Sequence, residues 1–143
     1  MIIAFCGHAD YIPRAEDEER VLDLLEKQAK NAPCEFFLGG YGSFDRFAHH
    51  CAKKFKQVHT NATITFVTPY LPAREEHTSF DLVVYPPLEN VPPRFAISHR
   101  NRWIVQQADF LIAYVNRRYG GAYTMYQFAL KNNKTVHNLA AQG

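Results

Sequence analysis

The sequence predicts a single α/β domain in which a mostly parallel sheet is covered by helices on both faces. Three observations predict it. Short apolar runs alternate along the chain with stretches of helical periodicity, the pattern of strands joined by crossover helices. Three of the strand-to-helix junctions carry glycine. The length, 143 residues, suits one core; a folded chain of this size buries roughly two-thirds of its extended-chain surface.

Each element can be justified in order. Ile2–Cys6 reads as a buried strand that ends at Gly7. Glu16 to about Lys30 reads as a helix with Val21, Leu22, Leu25 and Ala29 on one side. Its acidic start, Glu16-Asp17-Glu18-Glu19, suits the positive end of the helix dipole. Cys34–Leu38 is a second strand, followed by Gly39-Gly40-Tyr41-Gly42. The next helix is the cleanest: Phe44, Phe47, Ala48, Cys51, Ala52, Phe55 and Val58 recur on one face. Thr63–Thr68 is a third strand. Pro69 to Phe95 holds six of the eight prolines and the charged patch Arg74-Glu75-Glu76-His77, with a short strand expected at Asp81–Tyr85. An excursion of this length tends to be a functional lid or loop. Ile97 to Ala108 is a helix, Phe110–Val115 a strand, Ala122 to Lys131 a helix and Thr135–Leu139 a final strand.

Composition narrows the function classes. Hydrophobic residues make up 47% and charged residues 21%, which excludes a disordered chain. Sixteen Lys and Arg against 14 Asp and Glu leave a charge of +2. That near-balance argues against a dedicated nucleic-acid or membrane-surface binder. The opening Met1–Cys6 run is too short for a signal-peptide core and lacks a basic start. No run reaches the ~20 apolar residues of a membrane span. Cys6, Cys34 and Cys51 read as buried thiols in a reducing cytosol, so a cytoplasmic location is expected.

The chemistry is expected in the glycine-bearing junctions, because ligands of open α/β sheets bind at the carboxyl ends of the strands. The first is Gly7-His8. The second is Gly39-Gly40-Tyr41-Gly42-Ser43, with Ser43 a helix cap and Asp45 in the first turn. The third is Tyr119-Gly120-Gly121-Ala122, with Arg117 and Arg118 before it, Thr124 after it and no acid nearby. A carboxylate repels phosphate but accepts hydrogen bonds from sugar hydroxyls. Any phosphate is therefore expected at Gly120–Thr124 and any sugar near Asp45. Asn101 falls inside the apolar stripe of Ile97, Ile104, Val105 and Ala108, and either ties down a neighbouring loop or touches the ligand. Arg100 beside it is expected at the pocket rim, as a phosphate ligand or as a surface arginine. His49 and His50 adjoin Cys51 without a zinc spacing, so no metal is expected. No motif calls for a cofactor: the dinucleotide fingerprint and the P-loop lysine are both missing.

The segment from Arg100 to Tyr114, followed by Gly120-Gly121-Ala122-Tyr123-Thr124, resembles the SLOG superfamily. Phe5-Cys6-Gly7-His8, the Gly39–Asp45 loop and Val91-Pro92-Pro93-Arg94-Phe95-Ala96-Ile97 are similar to an uncharacterised bacterial branch of it, related to the Lonely Guy and DNA-processing proteins. The resemblance implies a Rossmann-like three-layer fold and a pocket for a nucleotide or nucleotide-derived small molecule, with Arg94 among its residues. It also implies a homo-oligomer, most simply a twofold dimer, for which the aromatic surplus and the proline-rich excursion would supply the interface. Lonely Guy enzymes cleave the N-glycosidic bond of nucleoside monophosphates with an arginine, matched by Arg100, and a glutamate whose position here is Gln127. Tyr123 replaces the third glycine of their loop. A binding module is therefore expected, with an N-glycosidic hydrolase or transferase as the alternative. The carboxylates left for the alternative are Asp45, Asp10, Glu75 and Glu89.

Overall fold

The computed structural model describes residues 1–71 and 79–141. Arg74, Glu75, Glu76 and His77 lie outside the described residues. In chain order the elements are β1 (Ile2–Gly7), α1 (Ala15–Ala29), β2 (Cys34–Leu38), α2 (Ser43–Val58), β3 (Ala62–Val67), β4 (Leu82–Val84), α3 (Ala96–Gln107), β5 (Phe110–Tyr114), α4 (Gly121–Lys131) and β6 (Thr135–Asn138). The six strands form one sheet in the order β4-β3-β2-β1-β5-β6, and every pairing is parallel. The chain builds outward from β1 through β4, then crosses back to place β5 on the other side of β1. The direction of winding therefore reverses between β1 and β5, which opens a crevice at their carboxyl ends.

Strand alternation sorts the core into two halves. Ile3 and Phe5 of β1 face α1 and α2 together with Phe36, Leu38, Ile64 and Ile112. Ala4 and Cys6 face the other way, toward α3 and α4, with Phe37, Leu111 and Ala113. The first face is aromatic: Phe36 meets Phe55 edge-on at 5.7 Å, and Tyr11 meets Phe44 at 5.2 Å. Eight of the eleven phenylalanines are buried, so most of that surplus fills the core rather than a subunit interface. On the second face, the small side chains of Ala4, Cys6 and Ala113 let the starts of α3 and α4 approach the crevice.

Several expectations are corrected. Val58 closes the apolar stripe of α2 but is exposed, as the last residue of the helix. Asp17, read as one of the acids that suit the helix dipole, also has a place in the core. It is fully buried, accepts the Tyr11 hydroxyl at 2.7 Å and receives Arg14 on both oxygens. The stretch after β3 is anchored where it is described: β4 extends the sheet as its edge, and Asp81 just before it accepts the Ile64 amide at 2.8 Å and Lys56 at 2.6 Å. Arg100 and Asn101 exchange their expected places, since Arg100 is 4% exposed and Asn101 only half-buried. Among the described residues no helix is long and apolar enough to cross a membrane.

Candidate functional site

The crevice between β1 and β5 is a cleft of about 280 Å³. Its lining comes from the end of β1, the β2–α2 junction, α3 and the start of α4. It gathers Gly7, His8, Gly39, Tyr41, Asp45, Arg100, Asn101, Gly120 and Gly121. Gly40, Gly42, Ser43, Arg94, Thr124 and Gln127 are not part of the lining. Arg117, noted beside the third glycine junction, also lines the cleft, and Phe5, Cys6, Ala9, Ile97, Ile104, Ala122 and Met125 complete the wall without having been singled out as site residues. Ile97, Ile104 and Met125 carry the signature of core apolar positions, so no sequence pattern separates them from packing.

The glycines divide into two kinds. A Cβ on Gly7 would stand 2.2 Å from Phe44 Cγ, and one on Gly42 would stand 2.8 Å from Ala9 Cα, so packing excludes side chains there. Gly120 has φ +93°, a backbone conformation that side chains disfavour, and a Cβ on Gly120 or Gly121 would touch nothing within 4 Å. These two glycines leave bare backbone on the cleft.

Gly120 is also the residue just before α4, at its N-cap position. No side chain caps this helix, and no acid lies in its first turn. The amides of Gly121, Ala122 and Tyr123 precede the first intrahelical bond, which runs from Thr124 N–H to Gly120 at 3.1 Å. The helix start of α2 differs. Asp45 lies in its first turn, and Ser43 does not act as a cap. The Ser43 hydroxyl donates to the Tyr11 carbonyl and its amide donates to the Ala9 carbonyl at 2.9 Å. The β1 loop is thus strapped to α2.

Among the described residues, Asp45 is the one carboxylate in the lining. Its Oδ2 accepts the Tyr41 amide at 3.0 Å. Burial pushes its pKa up to about 6, against the opposing pull of that amide and of the Arg100 and Arg46 guanidiniums. Arg100 donates from Nη1 to the carbonyls of Gly39 at 3.0 Å and Val67 at 2.7 Å, and from Nε to Asn101 Oδ1 at 2.9 Å. Asn101 therefore orients Arg100 rather than a loop.

His8 is buried and its Nε2 accepts the Asn116 amide at 3.1 Å. Burial and the nearby Arg117 lower its pKa, against Asp10, so it is a neutral link between the β1 and β5 loops. Asp10 is exposed and pairs with both terminal nitrogens of Arg117 at 3.0 Å. It is taken up by that pair at the rim. Cys6 donates its thiol to the Ala122 carbonyl at 3.1 Å, and burial raises its pKa far above the usual range. It is a packed thiol, not a nucleophile. Arg94 lies over the Phe95 ring at 4.8 Å, in the turn before α3. Glu89 is exposed and outside the lining. Among the described residues no three His, Cys, Asp or Glu side chains group as a metal site.

No protein-family model matches the chain, and no curated protein sequence matches it. Solved structures do. The chain is similar to TM1055, a structural-genomics target, with 15% identity and a TM-score of 0.61 over 94% of this chain and 71% of that one. It is similar to DNA processing protein A from Helicobacter pylori, a single-stranded DNA binder, with 17% identity and a TM-score of 0.65 over 95% of this chain and 63% of that one. It is also similar to the molybdenum cofactor binding protein of the phototrophic bacterium Rippkaea orientalis, with 20% identity and a TM-score of 0.60 over 94% and 73%. The chain thus spans less than two-thirds of the DNA-processing protein. Likenesses at this level of identity speak for fold, and the chain has the Rossmann-like α/β fold that these proteins share, in agreement with its resemblance to the SLOG superfamily.

Proposed function

We propose that the cleft binds a nucleotide or nucleotide-derived small molecule, with an anionic group on the start of α4, sugar toward Asp45 and base against Tyr41. The observation that carries this reading is the contrast between the two helix starts on one cleft. That of α4 is uncapped, glycine-lined and free of acid, while that of α2 carries Asp45. An anion suits the first and hydroxyl donors suit the second. Tyr41 is 78% exposed, so its ring is free to stack. The volume of about 280 Å³ fits a small ligand.

The near-balanced charge does not set nucleic acid aside. The fold is shared with a protein that binds single-stranded DNA and with one that binds the molybdenum cofactor. Native mass spectrometry of protein purified from its own host tests the reading. A copurified nucleotide-sized ligand is expected, and copurified oligonucleotide with no small ligand would overturn it.

The second reading is an N-glycosidic hydrolase or transferase. Asp45 favours it: a carboxyl with a pKa of about 6 can supply negative charge to a forming sugar cation. Release of free base from nucleoside monophosphates, abolished by Asp45→Asn, would establish turnover. The assembly proposed is a twofold homodimer, supported by Leu82 and Val83 exposed on the edge strand β4. A monomer in light scattering at micromolar concentration would refute it.

A further inference from the structure

Arg117 lies in the loop between β5 and α4 and lines the cleft together with Gly120 and Gly121. Among the described residues the lining holds two arginines, Arg100 and Arg117. They are held in different ways. Arg100 is committed to the carbonyls of Gly39 and Val67 and to Asn101. Arg117 gives both terminal nitrogens to one carboxylate, that of Asp10, at 3.0 Å each. The Asp10 side chain is 69% exposed, and an ion pair so open to water contributes little to a fold.

This pose leaves the guanidinium incomplete. Nε of Arg117 is buried without a hydrogen-bond partner, and an interior donor left unmet is disfavoured. The side chain also borders open space on two sides. His8 and Arg117 line both the cleft and a second cavity of about 410 Å³, whose wall includes Asp10 and Arg14. The guanidinium can therefore turn without displacing packed side chains. Its fork takes a phosphate as it takes a carboxylate, through two parallel N–H bonds. A phosphate at the start of α4 carries as much charge as Asp10 or more, and it meets the free amides of Gly121, Ala122 and Tyr123 as well.

We infer that Asp10 holds Arg117 in place of the ligand's phosphate, and that binding transfers the guanidinium fork from Asp10 to that phosphate. This rests on the nucleotide reading of the cleft. Asp10 is then an internal competitor: it lies outside the cleft lining, yet it lowers affinity by occupying Arg117. Arg117 becomes the phosphate cation that Arg100, fixed on its carbonyls, does not supply.

The test is titration calorimetry with the four common nucleoside 5′-monophosphates and with the parent nucleoside of the tightest. Arg117→Ala should weaken that monophosphate roughly 10- to 100-fold, the range of a hydrogen bond to a charged group, and the nucleoside far less. Asp10→Ala should do the reverse and tighten the monophosphate about two- to fivefold, the worth of an exposed ion pair. In an Arg117→Ala background, Asp10→Ala should change nothing. A monophosphate affinity unmoved by Arg117→Ala, or weakened by Asp10→Ala, would overturn the inference and leave the nucleotide reading standing. So would a gain from Asp10→Ala that is equally large without Arg117, since the acid would then act through its charge alone. No binding by any nucleotide would overturn both. Arg117→Lys, which keeps the charge and loses the fork, takes the place of Arg117→Ala in the cycle if the alanine variant fails to fold.

Discussion

Arg100 on α3 donates to the carbonyl of Val67, the last residue of β3, across 2.7 Å. The same nitrogen donates to the carbonyl of Gly39, just beyond β2. One buried cation therefore ties together the carboxyl ends of two neighbouring strands. Arg100→Ala leaves two interior acceptors without donors, each at a cost of ~1–3 kcal/mol, offset in part by removal of a buried charge. The expected loss of stability is about 2–4 kcal/mol. Calorimetric melting should show a drop of roughly 5–15 °C, with a smaller drop for Arg100→Lys. An unchanged melting temperature would mean that water replaces the guanidinium at both carbonyls.

Asp45 sets a pH dependence with a defined sign. Burial raises its pKa from 3.8 to about 6, so the folded protein holds this proton more tightly than the unfolded chain. The stability it contributes is fully present below pH 3.8 and is lost as the pH rises through 6. Above that the ionised carboxylate works against the fold by about 1–3 kcal/mol, with Arg100 and Arg46 limiting the cost. Asp45→Asn keeps an acceptor for the Tyr41 amide and removes the charge. It should raise the melting temperature at pH 7.5 and leave it nearly unchanged at pH 4. A variant less stable than wild type at pH 7.5 would show that the ionised form is needed for folding.

The start of α4 gives a prediction in which stability and binding move in opposite directions. Gly121 has open space where a Cβ would go, and it is the first residue of the helix. Gly121→Asp adds the carboxylate that this helix dipole lacks and removes a flexible glycine. Both changes favour the fold, together by about 0.5–1.5 kcal/mol. The same charge occupies the place proposed for the ligand's anion. Affinity for a nucleoside monophosphate should fall by roughly tenfold or more, and affinity for the dephosphorylated nucleoside much less. Equal losses for the two ligands would move the phosphate elsewhere in the cleft.

The sheet order was not legible residue by residue, but the alternation of strands and helices was, because apolar runs such as Phe110–Tyr114 and the stripe of α2 carry their own periods. The glycine junctions at Gly7, Gly39 and Gly120 were legible as the places where the cleft opens. Which glycine serves packing and which serves the cleft was not, since the obstacle at Gly7 is Phe44, 37 positions along the chain. Arg100 was placed at the rim and Asn101 in the core for a related reason. Helical periodicity treats an arginine as polar, and it cannot foresee that the carbonyls of Gly39 and Val67 converge on that spot. Asp17 was missed in the same way, because Tyr11 and Arg14 supply its partners.

Gln127 offers the sharpest test of how α4 meets the cleft. By resemblance to Lonely Guy enzymes it occupies the position of the catalytic glutamate. The helix turns Gly121, Ala122 and Met125 to the cleft instead. Two residues beyond Met125, at about 100° per residue, Gln127 points to the other side of the helix. A carboxylate there has no route to a bound sugar. Gln127→Glu should change the affinity for a nucleoside monophosphate by less than twofold, and it should create no release of free base. Met125→Ala should alter affinity several-fold, because Met125 is 7% exposed and forms the cleft wall. It should also lower stability by about 2–4 kcal/mol through the space it leaves. Base release gained by Gln127→Glu would instead show that α4 rotates when ligand binds, and that the catalytic geometry of the hydrolases is within reach of this chain.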